Sequence, residues 1–137
     1  MPYELIDHTA DIGIRATGTS IKDLFETAAI AMYEQIVDTK TLKGRHTKKL
    51  RVSGIDSTDL LVNFLRELLC VWAINERLVK QVYIKDLDDT QLTVNITCDV
   101  FNSKTHEILK DIKAVTYHGI CVEQVNDTWQ ATIIFDV

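Results

Sequence analysis

The sequence predicts an α+β domain, with antiparallel β-sheets packed against two α-helices in the rough order ββαβαββββ. Three observations carry the prediction. Two stretches repeat apolar residues at helical spacing, each behind a capping residue. The last third of the chain alternates apolar and polar residues with a period of two. Turn-forming pairs divide the alternating runs, and the connections are short.

Residues 3–7 and 11–17 read as two short strands, the second alternating Ile12, Ile14 and Ala16 with Gly13, Arg15 and Thr17 before Gly18 closes it. Ser20 then starts a helix, with Asp23 placed to complete a capping box. Ile21, Leu24, Phe25, Ala28, Ala29, Met32 and Ile36 give this helix one apolar face, read as core. A basic run from Lys43 to Lys49 leads into a strand at Leu50–Val52, where lysines protect a sheet edge from aggregation.

The second helix opens at Asp56 or Ser57, with Asp59 in its first turn, where the dipole favours negative charge. Leu60, Leu61, Phe64, Leu65, Leu68, Leu69 and Trp72 form its buried face, and Asn63, Arg66 and Glu67 lie off it. Capping accounts for Asp56 and Asp59. Strands follow at 81–87 and 91–101, then at 113–125 as one strand or two halves bent at Gly119. The final run places Trp129, Ala131, Ile133, Phe135 and Val137 on one face, and Gln130, Thr132, Ile134 and Asp136 on the other.

One domain over residues 1–137 fits the length, and a chain this long can bury a core without disulfides. No repeat or low-complexity segment stands out. Net charge is −5, with 46% hydrophobic residues. A protein gripping nucleic acid by counterion release normally carries a basic surface, so RNA or DNA is not expected as the main direct ligand. Cys70, Cys98 and Cys121 fit no zinc spacing, lie in apolar patterns and read as reduced core residues. The start of the chain lacks signal-peptide regions, and no apolar run reaches the ~18 residues of a membrane span. A cytoplasmic protein is expected.

The chemistry concentrates at DHTAD, residues 7–11, where Asp7, His8 and Asp11 crowd a turn. One reading is an Asx-turn. The other is half of a metal or acid–base site, with a hard oxygen ligand and an imidazole three positions apart. Asp136, next to last, is the second anomaly. If the terminal strand ends near the first hairpin, then His8, Asp11, Asp136 and the Val137 α-carboxylate make an oxygen-rich set. Such donors suit calcium, magnesium or manganese better than zinc. In KAVTYH, Lys113 could pair with carboxylates or hold a phosphate, and His118 reads as a turn residue. There is no GxSxG, Walker loop or HExxH motif, so no nucleophile–base pair can be named.

Three stretches together resemble one family, archease: residues 7–32, residues 59–69, and KAVTYHGICVE followed by WQATIIFDV. FNSKTHEIL, residues 101–109, is similar to the family's loop in keeping His106. The resemblance implies a protein cofactor rather than an enzyme. Its partner would be the GTP- and manganese-dependent RNA ligase that seals tRNA halves after intron removal. The cofactor would promote guanylylation of that ligase and multiple turnover. tRNA would be engaged only through the ligase, with no DNA or membrane contact.

The resemblance also implies a bound divalent metal near the chain ends, calcium first, with magnesium or manganese as alternatives. It sets Asp11, Lys113 and Asp136 apart as activating residues. Asp11 and Asp136 would be metal ligands, with His8 and the Val137 carboxylate completing the site. Two rival readings are a metal-dependent hydrolase using His8 or His118 as base, and a chaperone-like binding module with a structural metal.

Overall fold

The computed structural model describes residues 3–6, 11–117 and 120–137. Its elements run β1 (Tyr3–Ile6), β2 (Asp11–Gly18), α1 (Ile21–Ile36), β3 (His46–Ser53), α2 (Ser57–Ala73), β4 (Arg77–Leu87), β5 (Gln91–Val100), β6 (Ala114–Val115), β7 (Glu123–Val125) and β8 (Thr128–Asp136). The α+β class holds. The run at 113–125 takes its divided form, as β6 and β7. The strand expected at Leu50–Val52 begins at His46, so part of the basic run lies inside it.

All strand pairings are antiparallel. One sheet has the order β1-β2-β8-β6, with β7 also on β8; the other has the order β3-β5-β4. Strand β3 is thus an edge, and its Lys48, Lys49 and Arg51 are exposed. This fits the edge-protecting role read from the charges.

The two helices start in the same way. Ser20 caps α1, its Oγ accepting from the Asp23 N–H at 3.1 Å, and Asp56 caps α2, its Oδ1 accepting from the Asp59 N–H at 2.8 Å. In each helix the aspartate of the first turn reaches back to the residue before the cap. Thr19 N–H donates to Asp23 Oδ2 at 2.9 Å, and Ile55 N–H donates to Asp59 Oδ2 at 2.9 Å. A glycine stands before each junction because a Cβ would strike the helix: it would lie 2.4 Å from Leu24 N at Gly18 and 2.6 Å from Leu60 N at Gly54. The pattern G-x-[SD]-x-x-D-L therefore occurs twice, as one strand-to-helix device. It is a repeat too short for the sequence reading to have registered.

Burial of the apolar stripes joins the layers, each large side chain contributing roughly 1.5–3 kcal/mol. Phe25 of α1 stacks on Phe64 of α2 with centroids 6.1 Å apart. The buried Tyr33 hydroxyl donates to the Leu68 carbonyl, and burial pushes its pKa well above the usual value. Strand β4 shifts register between Ile84 and Asp86, and the Ile84 N–H donates instead to Glu26 Oε2 of α1 at 2.9 Å. A bulge frees a ladder donor, and here the helix accepts it.

One expectation needs correction. Cys98 is buried and Cys70 half-buried, but Cys121 is exposed, because it follows the point where the chain leaves β6. In the terminal run Ala131, Ile133 and Phe135 of one face are buried, Val137 lies exposed beyond the end of β8, and Ile134 of the other face is buried as well.

Candidate functional site

The site grows from one pairing. Strands β2 and β8 run antiparallel from Gly18↔Trp129 to Asp11↔Asp136. Alternation fixes that register. Ile14, Ala16, Ala131, Ile133 and Phe135 are all buried, and a slip of one residue would turn one strand's set to the opposite face. The same register forces Asp11 directly opposite Asp136. Such partners share a sheet face, with Cβ atoms ~4.5–5.5 Å apart, and like charges so placed repel.

On the other side of β8, Ala114 pairs with Asp136, and the Lys113 N–H donates to the Asp136 carbonyl at 2.7 Å. Asp11, Lys113 and Asp136, remote in sequence, thus meet at one end of the five-stranded sheet. Asp136 and Lys113 are exposed and Asp11 is half-buried. Val137 follows Asp136 at the same end. Asp7, His8 and the turn through Thr9 and Ala10 lie outside the described residues, as do His118 and the bend at Gly119. His106 is not part of this site; it is buried in the loop after β5.

The segment carrying Lys113 is clamped to α2. Arg66 donates from Nε and Nη2 to the Val115 carbonyl at 3.2 and 3.1 Å, and its guanidinium lies 4.5 Å from the Tyr117 ring centroid. The Tyr117 hydroxyl donates to Asp59 Oδ1 at 2.6 Å, and the Val122 N–H donates to Thr58 Oγ1 at 3.1 Å. Reading Asp59 as a capping residue alone was incomplete, because one of its oxygens also anchors this strand. Arg66, which the sequence places off the apolar stripe of α2, is the cation that holds this segment.

The Tyr117 hydroxyl, followed by the Ile55 amide, holds the Asp59 carboxyl below its ordinary value of 3.8. The same bond raises the Tyr117 hydroxyl above 10.0. The depressed group stabilises the fold above its unfolded pKa, and that contribution is lost as pH falls through the folded value. The raised group stabilises it below its unfolded pKa, and that contribution is lost as pH rises through the folded value. The clamp should therefore hold between about pH 4 and pH 10. Arg66→Ala should lower Tm by roughly 3–6 °C. It should also speed amide exchange at Val115–Tyr117 more than in β2, and hydrogen exchange read by mass spectrometry checks this.

Asp11 and Asp136 offer hard oxygen donors, the type calcium, magnesium and manganese take. Among the described residues, no group of three or more His, Cys, Asp or Glu side chains is arranged to hold a metal ion. The pair therefore fits such a cation in kind, and a full coordination shell needs donors beyond it.

By fold and site, this is an α+β domain that presents an opposed carboxylate pair and a neighbouring lysine at a sheet end. The Archease protein family matches residues 3–137, and the chain belongs to that family. Protein archease of Methanosarcina barkeri is 31% identical over 139 residues, covering 98% of this chain and 95% of that protein. Protein archease of Pyrococcus abyssi is 32% identical over 140 residues, with 98% of each chain covered. The solution structure of Methanobacterium thermoautotrophicum protein 1598 superposes with a TM-score of 0.83 at 28% identity, covering 99% of both chains. An archease of Thermotoga maritima, described as a possible chaperone, has a TM-score of 0.67 at 23% identity, covering 96% of this chain and 94% of that one. The latter is a likeness of fold alone. No helix among the described residues is long and apolar enough to cross a membrane.

Proposed function

We propose that this protein activates the GTP-dependent tRNA-splicing RNA ligase, promoting its guanylylation and multiple turnover through the carboxylate end of the five-stranded sheet. One observation carries the reading: a register fixed by core packing sets Asp11 against Asp136, with Lys113 on the adjoining backbone. Like charges placed opposite each other repel, and a cation bound between them would offset that cost, which supports a role in binding. Asp11 and Asp136 would hold a divalent cation, calcium first, with His8 and the Val137 carboxylate completing the set. Bound there, the cation supplies positive charge that offsets the two carboxylates and can face a phosphate. Lys113 adds a fixed positive charge and three donors for a phosphate or a partner carboxylate. The acidic balance of the chain favours docking on a basic RNA-binding partner.

The test is ligase self-guanylylation at limiting GTP and manganese, with wild-type protein or with Asp11→Ala. Stimulation should fall about tenfold or more in the variant, equivalent to ~1.4 kcal/mol of barrier or greater, with its circular dichroism unchanged. A folded Asp11→Ala protein that stimulates like wild type would refute the reading. A hydrolase would instead turn over a phosphoester on its own, so the protein without ligase is the control.

A further inference from the structure

The second candidate site lies in the other sheet. A cavity of about 200 Å³ opens where the segment entering β3 crosses the end of β5, lined among others by Lys43, Arg45, His46, Asp99, Thr105 and His106. The crossing is built on one buried carboxylate. Asp99 Oδ2 accepts from the Lys43 and Gly44 amides at 2.6 and 2.9 Å, and Oδ1 accepts from the Arg45 amide at 3.0 Å. Gly44, at φ 72°, supplies the left-handed backbone that turns these amides toward one acceptor. Asp99 thus fills the anion-binding backbone itself and fixes where the Lys43 and Arg45 side chains emerge.

Those side chains are exposed and have no acidic partner among the described residues. His106 is only 7% exposed, and its Nδ1 accepts from the Asn102 N–H at 3.1 Å. A neutral ring bonded in this way carries its proton on Nε2. No hydrogen bond to Nε2 forms among the described residues. Phe101 packs beside the ring at 6.2 Å and itself meets Trp72 edge-on at 5.2 Å, so the imidazole is held in place. The cavity is therefore lined by Lys43, Arg45, His46 and the buried His106, against the single carboxylate of Asp99, which already accepts three amides and faces His106 electrostatically. Its volume is below the ~300 Å³ of small-molecule pockets, which fits a phosphate group and leaves any attached nucleoside outside.

We propose that this cavity binds a phosphate group, held by Lys43, Arg45 and the His106 Nε2–H, either as free phosphate or as the phosphate end of a nucleotide. The site shares no residue with Asp11, Lys113 or Asp136 and does not depend on the ligase reading.

The test follows the His106 and His46 ring C–H resonances by NMR as sodium phosphate, and separately GMP, is added to the full chain at fixed pH and ionic strength. Saturable shifts are expected at both rings. The dissociation constant should rise roughly tenfold in Lys43→Met and again in Arg45→Met. Both variants keep the backbone amides that bind Asp99, so their other resonances report an intact fold. Tighter binding of GMP identifies a nucleotide end as the source, and equal binding identifies free phosphate. Linear, unsaturable shifts in wild type overturn the proposal, as does saturation unaltered in both variants. No ligase enters the experiment, so its failure leaves the proposed function standing.

Discussion

Asp99→Ala should lower Tm by roughly 10 °C, the largest effect expected of any single polar substitution in this chain. The side chain is only 6% exposed and accepts three backbone amides from the segment entering β3. Alanine removes the one acceptor that all three donors share. At ~1 kcal/mol or more for each stranded donor, the loss is about 3 kcal/mol. Burial raises the Asp99 carboxyl, but the Arg45, Gly44 and Lys43 amides outweigh it and hold the group below its usual value of 3.8. A depressed pKa stabilises the fold above the unfolded value, and that contribution vanishes as pH falls through the folded one. The Tm gap between wild type and Asp99→Ala should therefore be full at neutral pH and narrow progressively below about pH 4. Thermal melts across that range check both magnitude and sign. A gap that widened in acid would mean the carboxylate is not what holds the segment.

Asp99 also shows where reading the sequence reaches its limit. In QLTVNITCDV the alternation through Leu92, Val94, Ile96 and Cys98 is local, and the structure obeys it. The rule leaves Asp99 on the polar phase. Only a segment more than fifty positions away, arriving from Lys43, buries it. The same holds for His106, whose neighbour Phe101 packs on the distant Trp72, and for Arg66, whose acceptor lies on β6. Helix stripes, caps and the terminal strand were legible because 3.6- and 2-residue periods are set by the element itself. Asp11 and Asp136 stood out singly for their chemistry. Their meeting depended on the β2–β8 register, which the apolar residues of both strands determine but do not announce. Cys121 failed for the opposite reason: its apolar neighbours imitate a strand that the chain does not form there.

Asp136→Asn separates a working carboxylate pair from a structural one. Asparagine keeps the shape of the side chain and removes one of two like charges that face each other across β2 and β8. Without added metal, the variant should melt roughly 1–3 °C above wild type, because the cross-strand repulsion is gone. Calcium should reverse the order. A ligand at about a hundred times its dissociation constant stabilises the native state by ~2.7 kcal/mol, so wild type should gain several degrees, and the variant, missing a charged donor, little. Stimulation of ligase guanylylation should fall in the variant even though its metal-free fold is the more stable. A chaperone-like module with a purely structural metal predicts otherwise, since there stability and stimulation are lost together. If Asp136→Asn is less stable than wild type without metal, the pair is not repulsive and the carboxylates serve the sheet. If calcium stabilises both proteins equally, Asp136 is not a ligand. The three readouts come from one substitution, and their signs, more than their sizes, decide whether this sheet end was selected for binding.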